Sequence, residues 1–264
     1  MKLSAPIHVL RSRAKNLKQE RNLTLVAAQN EIAQQEGFAS WSLLMSRRDD
    51  LLPNNLQELR QYLNSGDMVL VGARPKLGKT MLAAGLLAAG ELSGKRGYIF
   101  TLADRLEEAE QRIKQHLEES TGSVDGNRVQ IDCSDEICAD YIIDKLQAAE
   151  SGSLVIIDYL QLLSEDRRHP SLQDQIEKLV AFARSSDCII VVLAQLDRDV
   201  DARPTQCPSV GDIRLRNPLD TQLFNKVLFL YRPVPSTSQT VVSLVRPVVH
   251  ELAAPLETGV FRHG

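Results

Sequence analysis

The chain has 264 residues, 43% hydrophobic and 25% charged, with a formal net charge of −3. Such a length supports one substantial domain plus a small appendage and a core that needs no disulfide staples, and such a composition excludes fibrous and disordered classes. Apolar runs fall short of the roughly 20 residues of a membrane span, and the opening Met1 to Pro6 lacks the apolar centre of a secretory signal, so no membrane and a cytoplasmic location are expected.

The first stretch is basic: Lys2, Arg11, Arg13, Lys15, Lys18, Arg21, Arg47 and Arg48 stand against Glu20, Glu31 and Glu36. Apolar residues recur at helical spacing, first at Ile7, Leu10, Ala14 and Leu17 and then around Leu25, Ala28 and Ile32. Gly37 stops the second helix, and Ser40 caps a third that carries Trp41, Leu44 and Met45. Residues 1–50 are therefore predicted to be a basic helical unit, joined by a connecting helix or linker over 51–66 to a main domain over 67–264. Its helix, glycine turn and helix layout fits a DNA-binding helix-turn-helix, but protein docking or self-assembly is the role favoured over DNA binding. Phe38 and Trp41 are expected to anchor the core of this unit.

From Asp67 onward, short β-rich runs alternate with helical stretches, the pattern of a mostly parallel sheet with crossover helices. Strands are expected at Met68 to Val71, Gly97 to Leu102, Arg128 to Ile131, Leu154 to Ile157 and Cys188 to Ala194. Cys138, Ile142, Leu146 and Ala149 mark one face of a helix between the third and fourth. Later runs at Lys226 to Tyr231, Thr240 to Val245 and Thr258 to Phe261, set among prolines, read as antiparallel additions at the sheet edge. Cys133, Cys138, Cys188 and Cys207 lack Cys-x-x-Cys spacing and are read as free thiols rather than a zinc site or disulfide framework.

Gly72-Ala73-Arg74-Pro75-Lys76-Leu77-Gly78-Lys79-Thr80 follows the first strand and opens an Ala/Leu-rich helix, the setting of a phosphate-binding P-loop. Backbone N–H groups across Ala73, Arg74, Pro75 (which lacks one), Lys76, Leu77, Gly78, Lys79, Thr80 and Met81 are expected to enclose the phosphates of ATP. Lys79 reaches the β- and γ-phosphates and Thr80 ligates Mg²⁺, while the helix N-terminus contributes partial positive charge. Ala73 stands where the motif has its first glycine. Leu154 to Ile157 is a buried strand ending in Asp158, which is expected either to hold Mg²⁺ beside Thr80 or to cap the next helix.

Three segments together resemble the ATPase domain of DnaB-type replicative helicases: the loop at 72–80, Ile-Asp-Tyr-Leu-Gln-Leu-Leu at 157–163 and Leu-Ala-Gln-Leu-Asp-Arg at 193–198. The resemblance runs from about 66 to 246 in order and includes Asp212-Ile213-Arg214, similar to the family's second DNA-facing loop. It implies a RecA-like P-loop fold, ATP and Mg²⁺ as cofactors, single-stranded DNA as a partner and a homo-oligomeric ring with ATP between subunits. Gln195 resembles the family's polar sensor of the γ-phosphate, or is a strand-end glutamine that binds backbone. The segment from Asp199 to Pro218, with Arg203, Arg214 and Arg216, reads either as a mobile nucleic-acid loop or as a solvated connection.

The sequence departs from that family in three places, two at single positions and one in the N-terminal unit. The glutamate that activates the attacking water is replaced by Ala103, with Asp104 and Glu107 nearby. The trans-acting basic pair retains Arg246, an arginine finger or a surface arginine, but has Leu244 at the lysine position. The basic helical unit is expected to take the place of the primase-binding N-terminal domain that the resemblance would imply. The residues thus predict an ATPase, helicase-like in class, with Lys79, Asp158, Gln195 and Arg246 carrying the chemistry. The alternatives are a nucleotide-gated binding or regulatory module with little hydrolysis, and a small-molecule P-loop kinase, which the long loop after Gln195 disfavours.

Overall fold

The structure, a computed structural model, describes residues 7–46, 53, 55–101, 106–121, 128–164, 169–203, 207–215, 217–232, 239–246, 250–251 and 256–257. The chain divides into two compact units, Met1–Pro53 and Asn54–Gly264.

In the first unit, helices α1 (Ile7–Arg21), α2 (Leu25–Gln35) and α3 (Trp41–Ser46) enclose a small core of Leu10, Ala14, Ala28, Ile32, Ala33, Phe38 and Leu44, with Trp41 partly buried against it. Thr24 caps α2, its hydroxyl accepting from the Ala27 N–H at 3.2 Å. The helix ends in a left-handed Gly37 (φ 83°), where Phe38 N–H bonds Ala33 O and Gly37 N–H bonds Gln34 O. That paired closure satisfies the last carbonyls and turns Phe38 into the core. The Trp41 N–H then donates to Asn30 Oδ1 at 2.9 Å, which fixes the start of α3 against α2.

The second unit begins with α4 (Leu56–Tyr62), capped by Asn55, and continues through β1 (Met68–Ala73), α5 (Lys79–Leu92), β2 (Gly97–Thr101), α6 (Leu106–Thr121), β3 (Val129–Asp132), α7 (Ala139–Lys145), β4 (Leu154–Asp158), α8 (Leu172–Ser186), β5 (Ile189–Gln195), β6 (Lys226–Tyr231), β7 (Gln239–Arg246), β8 (His250–Glu251) and β9 (Leu256–Glu257). The sheet order is β3-β2-β4-β5-β1-β6-β7-β8, with β9 on β7. Strands β1 to β6 pair in parallel; β7 pairs antiparallel with β6, β8 and β9. Side chains alternate across the central strands: Met68, Leu70, Val155, Ile157, Ile190 and Val192 share one core with α7 and α8, and the intervening residues turn toward α5. This is the mostly parallel α/β architecture expected, RecA-like in class.

One expectation is corrected. Lys226 to Tyr231 is not an antiparallel addition at the edge: β6 lies inside the sheet, parallel to β1, and all its residues are buried. Antiparallel pairing begins only with β7. The prolines that flank this run pointed to an edge, but they lie outside the strand, and Lys226, which opens it, is buried through a specific partner. Its ammonium and the Asp67 carboxylate form an ion pair, the two side chains being 1% and 5% exposed. Asn64 N–H donates to Asp67 Oδ2 at 2.7 Å, Asn225 Nδ2 donates to Asp67 Oδ1, and Met68 N–H donates to Asn225 Oδ1 at 2.8 Å. The Tyr62 ring lies 5.2 Å from the ammonium. Burial and the nearby Asp67 charge push the Tyr62 hydroxyl up to about 12. The predicted run at Thr258 to Phe261 lies outside the described residues.

Removing one member of a buried pair strands the other charge. Asp67→Ala is expected to destabilise the second unit by about 3–5 kcal/mol, read as a lower urea midpoint; a change under about 1 kcal/mol contradicts this account of β6.

Candidate nucleotide site

The sheet brings the candidate residues together at the C-terminal ends of three adjacent parallel strands. β1 pairs with β5 in the register Ala73↔Gln195, and β5 pairs with β4 in the register Leu193↔Asp158. The carboxylate of Asp158, the side chain of Gln195 and the loop after Ala73 therefore emerge at one sheet edge, where crossover helices begin and ligands of open α/β sheets bind.

Gly72 packs where a Cβ would come within 2.6 Å of the Phe229 ring, so close approach of β1 to β6 requires glycine there. Ala73 is the last residue of β1 and fully buried. Its extended backbone has no need of glycine, which explains the departure from the motif at this position. Lys76 (φ 65°) and Gly78 (φ 91°) both adopt left-handed backbone, and Gly78 leads directly into α5. A Cβ on Gly78 would meet nothing closer than 4.0 Å, so conformation rather than space selects glycine. Pro75 and Lys76 are exposed at the tip, Leu77 and Thr80 are half-buried, and the Met81 side chain is turned into the core, leaving only its backbone toward the loop.

The Lys79 ammonium donates to Ala73 O and Ala194 O, each at 3.3 Å, spanning the ends of β1 and β5. Burial pushes its pKa below the ordinary lysine value; the Asp158 carboxylate opposes that shift and Arg74 adds to it by repulsion. Lys79, Asp158 and Arg74 thus form one electrostatic group. Thr80, in the first turn of α5, and Asp158, half-buried at the end of β4, supply two hard oxygen donors. Such a set fits Mg²⁺, which takes few protein ligands and completes its shell with phosphate and water. Among the described residues no group of three or more His, Cys, Asp or Glu is arranged to hold a metal. The peptide bond between Asp158 and Tyr159 is cis.

The segment after β5 is folded back onto the site. Leu196 and Ile213 form an antiparallel bridge, Arg214 N–H donates to Gln195 O at 2.9 Å, and Asp197 N–H donates to Asp212 O at 2.9 Å. Asp212 is 6% exposed and bound by Arg203 through both guanidinium nitrogens, by Ser209 N–H at 2.7 Å and by Ser209 Oγ at 2.9 Å. Arg203 is thereby committed to the loop's own structure. Gln161 Nε2 donates to Arg214 O at 2.6 Å, tying the turn after β4 to the same loop. Arg216 lies outside the described residues.

Two residues that the sequence pattern did not single out lie in a cleft beside the loop. Tyr231 and Arg232, at the end of β6, line a cleft of about 300 Å³ together with Arg74, Pro75, Leu77 and the loop residues Val200, Asp201 and Pro208. A Tyr-Arg pair closing an apolar strand is the only signal they gave.

Other expected residues lie apart. Arg246 sits at the end of β7 opposite Val227, toward the sheet edge where β1 begins rather than the one where it delivers the loop. Its guanidinium donates to Thr221 O and Phe224 O. Leu244 is buried in β7. Ala103 and Asp104 lie outside the described residues, and Glu107 is exposed in the first turn of α6.

A glycine-turned loop between a central parallel strand and a helix, with its lysine at the strand ends and a carboxylate on the neighbouring strand, defines a RecA-like P-loop protein. Among solved structures, the chain is similar to a DnaB-like replicative helicase solved with regard to its interactions with primase, with a TM-score of 0.62 and 20% identity over 92% of this chain and 72% of that one. The replicative DNA helicase DnaB of Leifsonia xyli subsp. xyli is 28% identical over 188 residues, 60% of this chain and 41% of that protein. The DnaB of Helicobacter pylori strain 26695 is 27% identical over 214 residues, 69% and 43% respectively. The chain thus spans about two fifths of the length of these relatives. The profile of the DnaB-like helicase C terminal domain matches residues 104–242, beginning after the phosphate loop, and the chain belongs to that family.

The Asp212 carboxylate is held below its ordinary pKa of 3.8, chiefly by Arg203. A depressed carboxylate stabilises the folded loop above the ordinary value and loses that contribution as pH falls through the depressed one. Arg203→Ala is expected to shift this loss to higher pH, because burial is then less opposed. A ¹³C carboxyl titration of Asp212 in both proteins checks it, and an unchanged or lower titration point in Arg203→Ala refutes the pairing.

Proposed function

We propose that the chain is a Mg-ATP-binding ATPase of helicase-like class that acts as a homo-oligomer on single-stranded DNA. The carrying observation is the Lys79 ammonium resting on the carbonyls of Ala73 and Ala194 within the field of Asp158. Two backbone oxygens at 3.3 Å hold the amine where phosphate oxygens would take it over. In this reading the loop N–H groups between Arg74 and Met81, Pro75 excepted, would take the phosphates, and Thr80 and Asp158 would hold Mg²⁺, which would offset charge on the phosphate oxygens. Gln195 lies between the phosphate end and the loop that returns to its own carbonyl at Arg214. Arg246, remote from its own loop, serves only a neighbouring subunit's nucleotide, and must leave the Thr221 and Phe224 carbonyls to do so.

Lys79→Ala is expected to lower ATP affinity at least about tenfold by removing the charge-assisted contacts, measured by equilibrium binding; unchanged affinity overturns the site. The functional test is steady-state ATP hydrolysis by the wild type with and without single-stranded DNA, with Lys79→Ala as the blank. DNA-stimulated turnover is the expected result.

Ala103 favours a second reading. Alanine cannot orient the attacking water, so ATP here acts as a gate for binding a partner, with little hydrolysis. In that case ATP binds without turnover, and Ala103→Glu raises turnover by about 100-fold or more; no gain places the limit elsewhere than at residue 103.

A further inference from the structure

Arg74 stands between the end of β1 and the tip of the phosphate loop, and its side chain reaches the segment after β5. Its Nε donates to Asp201 Oδ2 at 2.9 Å and its Nη1 to Leu196 O at 3.1 Å. Asp201 belongs to the short 3-10 turn Arg198–Ala202, which Val200 anchors in the core. The residue that closes that turn is Arg203, the partner of buried Asp212. The Arg74 guanidinium thus helps to fasten the phosphate loop to the segment that lines the far wall of the cleft.

The fastening is of a kind that an anion can undo. Asp201 is 57% exposed while Arg74 is 19% exposed, so the arginine is the held partner and the carboxylate a half-solvated competitor. Arg74 is also close enough to Lys79 to depress its pKa by repulsion, which places both cations in one field. A polyphosphate entering that field carries several negative charges against the one on Asp201 and presents more acceptors to the guanidinium.

We propose that Asp201 restrains Arg74 in the empty site, and that nucleotide binding draws Arg74 onto the phosphates and releases the Arg198–Ala202 turn. The inference rests on the nucleotide reading above. Arg74 is then a positioning residue in the empty state and a phosphate ligand in the filled one. Because coupling between two equilibria is reciprocal, whatever nucleotide does to the Asp201 contact, loss of that contact does to nucleotide affinity.

The test is counter-intuitive for a loop mutation: Asp201→Asn is expected to tighten Mg-ADP binding by the full-length chain about two- to fivefold, the range of a half-exposed ion pair. Asp201→Glu, which keeps the charge, is expected to bind as the wild type does. In an Arg74→Ala background, Asp201→Asn is expected to have no effect, and in wild type the amides of 198–203 are expected to exchange faster once nucleotide is bound. Unchanged or weaker binding by Asp201→Asn overturns the proposal, as does a tightening that persists without Arg74. Wild-type protein that fails to bind Mg-ADP overturns the nucleotide reading itself, which separates the two failures.

Discussion

Lys226 and Asp67 face each other, buried, at the entry of two neighbouring parallel strands, and the position of the phosphate loop follows from that contact. Dehydrating both charges is unfavourable and is offset only when they meet with good geometry, so other registers of β6 on β1 leave them stranded. The Asn225 and Asn64 contacts satisfy the remaining oxygens of Asp67 and narrow the choice further. With the entry fixed, Leu230 falls beside Ala73 at the other end, and the Phe229 ring lies over Gly72. The ion pair thereby sets, one strand length away, where the loop leaves the sheet.

At that end the chain gathers charge of both signs on the tips of a parallel sheet. Lys79 and Arg74 come from the loop, Asp158 from β4, and Asp201 from the segment after β5. Only Arg74 and Lys79 come from one segment of the sequence; the strand order β4-β5-β1 assembles the set. Backbone carbonyls of Ala73, Ala194 and Leu196 complete the set, so main-chain and side-chain groups share the work of holding the two cations.

Much of this was legible because its signals are local. A strand buried on both faces reads as an unbroken apolar run, and Leu154 to Ile157 announces both β4 and the carboxylate that ends it. The glycine and lysine of the loop are readable because left-handed backbone and phosphate chemistry allow few residues. The prolines around β6 pointed to an edge, and the contact that counters them, Lys226 with Asp67, spans 159 positions. The partner of Arg74 was hidden for the same reason, being 127 positions distant. The loop after β5 read as polar and arginine-rich. Nothing in its composition distinguished Arg203, which is spent on Asp212, from Arg214, whose backbone groups are spent on Gln195 and Gln161.

The resting contacts of Lys79 carry a consequence for selectivity. Its two carbonyl partners act as a built-in surrogate ligand, so an incoming molecule must displace them and gains only the difference. A weakly charged anion offers little over two peptide oxygens, whereas a chain of phosphates replaces both and adds charge. On the nucleotide reading proposed above, such a site is expected to discriminate against single small anions not by size but because Lys79 already holds two carbonyl partners nearly as good.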